Sequence, residues 1–157
     1  MRPPDPQYAK LLLPYAEAIR NLALAARNLI LVEAPEASEF VYEVYTIANH
    51  FSFTGRPSDA FVFTTTHANW VNLGFNFGSL LPDPDRLLRG DGKWIRHVRI
   101  THRTDLDAHG VRELVRAAVA QAQRPDRKNG KAAAPRTVVH TARPPRKRSA
   151  TRRRRSL

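Results

Sequence analysis

The sequence predicts an α+β fold: an antiparallel sheet of about four strands with amphipathic helices packed on one face, followed by a disordered basic C-terminal tail. Three observations lead there. Segments with helical apolar spacing flank a central block of aromatic and β-branched segments that alternate with period two. Turn residues separate those strand-like segments at short intervals. Charge divides the chain in two: residues 1–123 contain 13 Lys/Arg and 13 Asp/Glu, whereas residues 124–157 contain 13 Lys/Arg and the single carboxylate Asp126. The whole net charge of +12 therefore belongs to the C-terminal segment. Two units are expected: an α+β domain over residues 1–123 that folds without the rest, and an Arg/Pro/Ala-rich tail over 124–157 that is too poor in apolar residues to fold alone.

Each element has a local reason. Pro14 suits the first turn of a helix, where a missing N–H costs nothing. Tyr15, Ala18, Ile19, Leu22, Ala26, Leu29 and Ile30 then share one helical face. Pro35 ends that helix and opens a second, with Phe40, Val41, Val44 and Tyr45 as its apolar stripe. The Val, Tyr and Phe content leaves a strand open at its end. Residues 47–53, 61–66 and 70–77 read as three strands of a meander, with Val71, Leu73, Phe75 and Phe77 on one face of the third. Asp83 as N-cap, Pro84 at the first helical position and Gly90 as terminator predict a short helix. Residues 94–100 form a fourth strand, with Trp94, Val98 and Ile100 on one side. Thr104 or Asp105 caps a last helix that buries Val111, Leu114, Val115, Ala118, Val119 and Ala122. Gly110 inside it costs about 1 kcal/mol relative to Ala.

Composition excludes several chemistries. The chain has no cysteine, hence no disulfide, no thiolate catalysis and no cysteine-ligated zinc or iron–sulfur centre. No apolar run approaches the roughly 20 residues of a membrane span. The first ten residues lack the apolar core of a signal peptide, so a cytoplasmic protein is expected. Neither an H-E-x-x-H nor a G-x-S-x-G pattern occurs. Gly90-Asp91-Gly92-Lys93 lacks the spacing and the Ser/Thr of a P-loop and reads as a turn.

Gly90-Asp91-Gly92-Lys93-Trp94-Ile95-Arg96-His97-Val98-Arg99-Ile100 looks like the G-x-G-K-x-x-R-h-x-x-hydrophobic stretch of a known family. The N-terminal helix, the segment from Pro35 to Tyr45, the aromatic strands and Leu81-Pro82-Asp83-Pro84 follow its order. Over about residues 15–122 the chain resembles the YdhG-like family of small bacterial domains, some of which are described as frataxin-like iron chaperones. The resemblance makes iron a candidate cargo. Where family members often carry Tyr-Gly-x-Pro, this chain reads Tyr45-Thr46-Ile47-Ala48. The basic tail is no part of the family pattern.

Four groups of residues are candidates for chemistry. Glu36, Glu39 and Glu43, at i, i+3 and i+7, form a carboxylate face on the second helix that could hold iron(II) or another hard cation. The alternatives are a solvated face or a docking site for the basic tail. His50 and His97 lie on the polar side of the sheet and could meet if their strands are neighbours. That side is read as His50, Ser52, Thr64, Trp70, Asn72, Asn76, His97 and Arg99, with Trp70 its one aromatic group for stacking an RNA base. Arg96 alternates onto the core side, where it would need a carboxylate or several carbonyls. With Lys93 it is a candidate anion contact, or else a structural clamp. Finally Arg143, Arg146, Lys147, Arg148, Arg152, Arg153, Arg154 and Arg155 form basic blocks suited to phosphates, without sequence preference. The function expected is thus a non-enzymatic binding domain whose tail contacts nucleic acid. The alternatives are an iron carrier with a partner protein docked on its tail, or a small enzyme with a pocket near Lys93 and Arg96.

Overall fold

The computed structural model of the chain describes residues 1–126 and 134–141. Two helices open it, α1 (Pro6–Leu12) and α2 (Glu17–Glu33). Five strands follow: β1 (Ser38–Glu43), β2 (Ile47–Ser52), β3 (Val62–Thr66), β4 (Val71–Phe75) and β5 (Arg96–Ile100). A short α3 (Arg103–Leu106), then α4 (His109–Gln121) and β6 (Thr137–His140) complete the described chain. The fold is α+β, with a sheet in the order β5-β4-β3-β2-β1-β6. Strands β1 to β5 form an antiparallel meander, and β6 returns to pair in parallel with β1.

The helices cover one face of the sheet. On that side Val41, Phe51, Val62, Leu73, Phe75 and Ile100 are buried against Leu22, Ala26 and Ile30 of α2 and Val111, Leu114 and Val115 of α4. Arg112 and Arg116 of α4 reach Glu33 of α2 at 2.9 and 3.1 Å and tie the two helices together. Burial pushes the Glu33 carboxyl up, but the hydrogen bonds from Arg116 and Arg112 outweigh it and hold the group below its ordinary range.

Several elements differ from the sequence reading. An extra helix, α1, precedes Pro14: Asp5 caps it by accepting from the Gln7 N–H at 2.8 Å, with Pro6 in its first turn. The second expected helix is instead β1. Its Glu spacing mimics a helix, but strand alternation sends Glu39, Val41 and Glu43 to the helix side and Phe40 and Tyr42 to the other. The short helix expected after Pro82 does not form. Arg86 adopts φ 53°, and the Asp83 carboxylate accepts instead from the N–H groups of Leu87 and Leu88 at 2.8 and 3.0 Å. The expected last helix is two. Asp105 sits at the third position of α3 and accepts from the N–H groups of Thr101 and His102, both at 2.9 Å.

The sheet has six strands, not about four, and the sixth lies inside the segment expected to be disordered. Thr137, Val138 and Val139 supply the β-branched residues that allow it. The expected domain limit at residue 123 therefore cuts off an edge strand. No helix among the described residues is long and apolar enough to cross a membrane.

Candidate nucleic-acid interface

Strand alternation and register define the second face of the sheet, on which no described helix packs. One row runs Val138, Phe40, His50, Phe63, Gly74 and His97 from β6 to β5. The next runs His140, Tyr42, Ala48, Thr65, Asn72 and Arg99. The β3–β4 turn adds His67 and Trp70 at the end of the second row. Neither row contains a carboxylate.

The rings on this face touch one another. Tyr42 stacks on His140 with centroids 4.8 Å apart and meets the edge of His50 at 5.7 Å. His50 stacks on Phe63 at 5.3 Å. The Phe63 ring leans across β4 over Gly74, where a Cβ would lie 2.1 Å from it. At the other end His67 stacks on Trp70 at 4.9 Å, and the Arg99 guanidinium lies 4.3 Å from the Trp70 ring. Thr65 Oγ1 and His67 Nε2 are 3.0 Å apart, which orients the imidazole. Burial lowers the His50 pKa. Burial and the nearby Arg99 and His97 lower that of His67, and burial with Arg99 and Arg89 lowers that of His97. At neutral pH these histidines are uncharged rings, and the fixed charge on the face is Arg99.

The sequence-predicted residues fall in different places. His50, His97 and Trp70 share the open face, but His50 and His97 do not meet. Their strands β2 and β5 are separated by β3 and β4, roughly 14 Å at 4.8 Å per strand. Thr64 is on the helix side and fully buried, and Phe63 takes the open-face position instead. Lys93 and Arg96 belong to the loop before β5 and its first residue, away from these rings. The Lys93 Nζ lies 5.1 Å from the Trp94 ring. Arg96 is on the helix side, as alternation predicts, but half-buried and without a carboxylate: its guanidinium donates to the carbonyls of Gly92 and Ile95.

The three glutamates do not form a carboxylate face. Glu36 is exposed and Glu43 half-buried, while Glu39 is fully buried and accepts from Arg27 Nε at 3.1 and 2.9 Å. Asn49 and Thr137 donate to it as well, at 2.8 and 3.1 Å. Among the described residues no group of three or more His, Asp or Glu is arranged to hold a metal. The basic blocks at Arg143, Arg146, Lys147 and Arg148 and at Arg152, Arg153, Arg154 and Arg155 lie outside the described residues.

Sequence reasoning missed Tyr42, Phe63 and His140. Reading residues 38–43 as an alternating strand would have exposed Tyr42, and the β-branched run before His140 was the only sign of β6. A separate apolar cleft of about 200 Å³ lies under Phe61, Phe75, Phe77 and Leu81 at the end of α4. The one ionisable side chain lining it, Asp59, is held by Thr54 Oγ1 at 2.7 Å and by Arg56 at 2.8 Å. No family model matches the chain, and no curated protein or solved structure matches it.

Proposed function

We propose that the protein is a non-enzymatic, YdhG-like binding domain that holds nucleic acid through phosphate contacts, with little sequence preference. One observation carries the reading. Because β6 runs parallel to β1, the chain leaves it at Thr141 on the sheet end that bears Tyr42, Trp70 and Arg99, and the sequence beyond contains eight Lys/Arg and no Asp or Glu. A dense run of cations starting beside a carboxylate-free face attracts a polyanion by counterion release. Base identity does not enter such contacts.

Fluorescence anisotropy with a labelled duplex over a range of salt tests this. If about six phosphates are engaged, log K against log salt has a slope near −5, from about −0.9 per contact. Replacing Arg152, Arg153, Arg154 and Arg155 by Gln flattens the slope by about 3.6 if all four are engaged. Absence of binding at physiological salt, or binding that ignores salt, refutes the reading.

A further inference from the structure

We propose that the helix-free face of the sheet, at the end that bears Tyr42, Trp70 and Arg99, is a stacking platform for unpaired bases, so that the ligand of the protein is single-stranded nucleic acid. This rests on the nucleic-acid reading above and specifies its ligand. Three features of the face argue for bases rather than for a bare polyanion or a protein. It carries a set of planar groups: Tyr42, His50, Phe63 and the Arg99 guanidinium on strands about 4.8 Å apart, and Trp70 in the β3–β4 turn. Its two rows contain no Leu, Ile or Met, the adaptable side chains that a docked helix needs. It carries Arg99 and histidines but no carboxylate, so its charge complements a phosphate backbone.

The chain's own C-terminal sequence is a weaker rival occupant, because residues 142–157 are cationic and contain no Asp or Glu, so Arg99, the fixed charge of the face, repels them. A duplex is no rival either. Its bases present only their edges, whereas a single strand can lay its faces on rings and guanidinium planes. Division of labour follows: the basic segment holds phosphates of any strand, and the face selects the unpaired ones.

The test uses the full chain with a labelled oligouridine and a labelled duplex of equal length, at a salt concentration that weakens the phosphate contacts. The expected result is at least about tenfold tighter binding of the single strand, the size of one or two stacked bases. A Tyr42→Ala, Arg99→Ala double variant, at half-buried and exposed positions, should lose that preference, its affinity for the single strand falling about tenfold further than its affinity for the duplex. In a Trp94→Phe background the remaining Trp70 fluorescence should be quenched by oligouridine and not by the duplex. Equal affinity for the two strands, a preference untouched by the double variant, or displacement of oligouridine by inorganic polyphosphate or phosphatidylserine vesicles of equal charge would overturn the platform. In each of those cases salt-dependent duplex binding leaves the broader reading standing. If neither nucleic acid binds, both readings fall together.

Discussion

Glu39→Gln strikes the buried ion pair of this fold without changing side-chain volume. The Arg27 and Glu39 side chains have no solvent exposure, and they meet at 2.9 Å beneath the sheet. Arg27 also donates to the carbonyls of Arg2 and Pro3 at 3.1 and 3.2 Å, so one guanidinium fixes the N-terminal segment, α2 and β1 together. Removing the carboxylate charge leaves Arg27 buried and uncompensated, which costs roughly 3–5 kcal/mol. A domain of this size loses about 2–4 °C of melting temperature per kcal/mol, so Tm should fall by roughly 6–20 °C. Replacing both partners, Arg27→Met with Glu39→Leu, removes the uncompensated charge but strands the Asn49 amide at about 1–3 kcal/mol. The double variant should therefore be destabilised by less than the sum of its two single changes. Urea unfolding followed by tryptophan fluorescence measures all four variants. A Glu39→Gln loss below about 1 kcal/mol, or strictly additive single changes, would refute the placement of this pair in the core.

Three further outcomes are expected. A chain ending at Thr141 should melt like the full protein, whereas one ending at Gln123 should lose stability or cooperativity, because it lacks β6 and the Thr137 bond to Glu39; equal Tm values would show that β6 is dispensable. Arg96→Ala should cost about 0.5–1.5 kcal/mol, as for lost hydrogen bonds to carbonyls, and not the larger cost of a stranded carboxylate; chemical denaturation distinguishes the two. Because the folded state lowers the pKa values of His50, His67 and His97, the unfolded chain binds protons more readily: their share of stability is complete above about pH 6.5 and is lost as pH falls through the folded values. Urea midpoints between pH 7.5 and 5.5 should decline on acidification, less steeply in His50→Gln, and a rise would contradict the burial of these rings.

How far the sequence could be read depended on whether one segment's pattern sufficed. Helix α2 and strands β2 to β5 were legible because their apolar periods are long and their turns contain Gly, Pro or Asn. Strand β1 was not, because Glu36, Glu39 and Glu43 imitate a helix face while Phe40 and Tyr42 alternate over only a few residues. That misreading carried over to the site. A buried Glu39 makes sense only once Arg27 stands above it, and the apolar stripe of Tyr15, Ala18, Ile19, Leu22, Ala26, Leu29 and Ile30 leaves Arg27 on the polar side of the helix. Arg96 was placed on the correct side of β5, but its carbonyl partners are set by the path of the loop from Gly90 to Ile95. The stacked rings were the least legible part. They require β6, β1, β2 and β3 to be adjacent, and a four-residue strand amid basic residues leaves almost no local signal.

Strand β6 is held by both faces of the sheet, and this bears on how the two halves of the proposed site cooperate. On the helix side Thr137 donates to Glu39; on the open side His140 stacks on Tyr42. These contacts fix the start of the basic segment at one end of the ring-bearing face. Without them the nearest helical anchor would be Gln121, and the basic blocks would be joined to the sheet by about twenty more residues of chain. The effective concentration of one binding element near another falls roughly as the −3/2 power of linker length once the linker exceeds the span. A longer tether would therefore weaken joint binding without removing a single contact to the ligand. Under the proposed reading the buried Arg27–Glu39 pair, whose carboxylate is Thr137's acceptor, would thus act on binding through geometry, although it lies on the opposite side of the sheet.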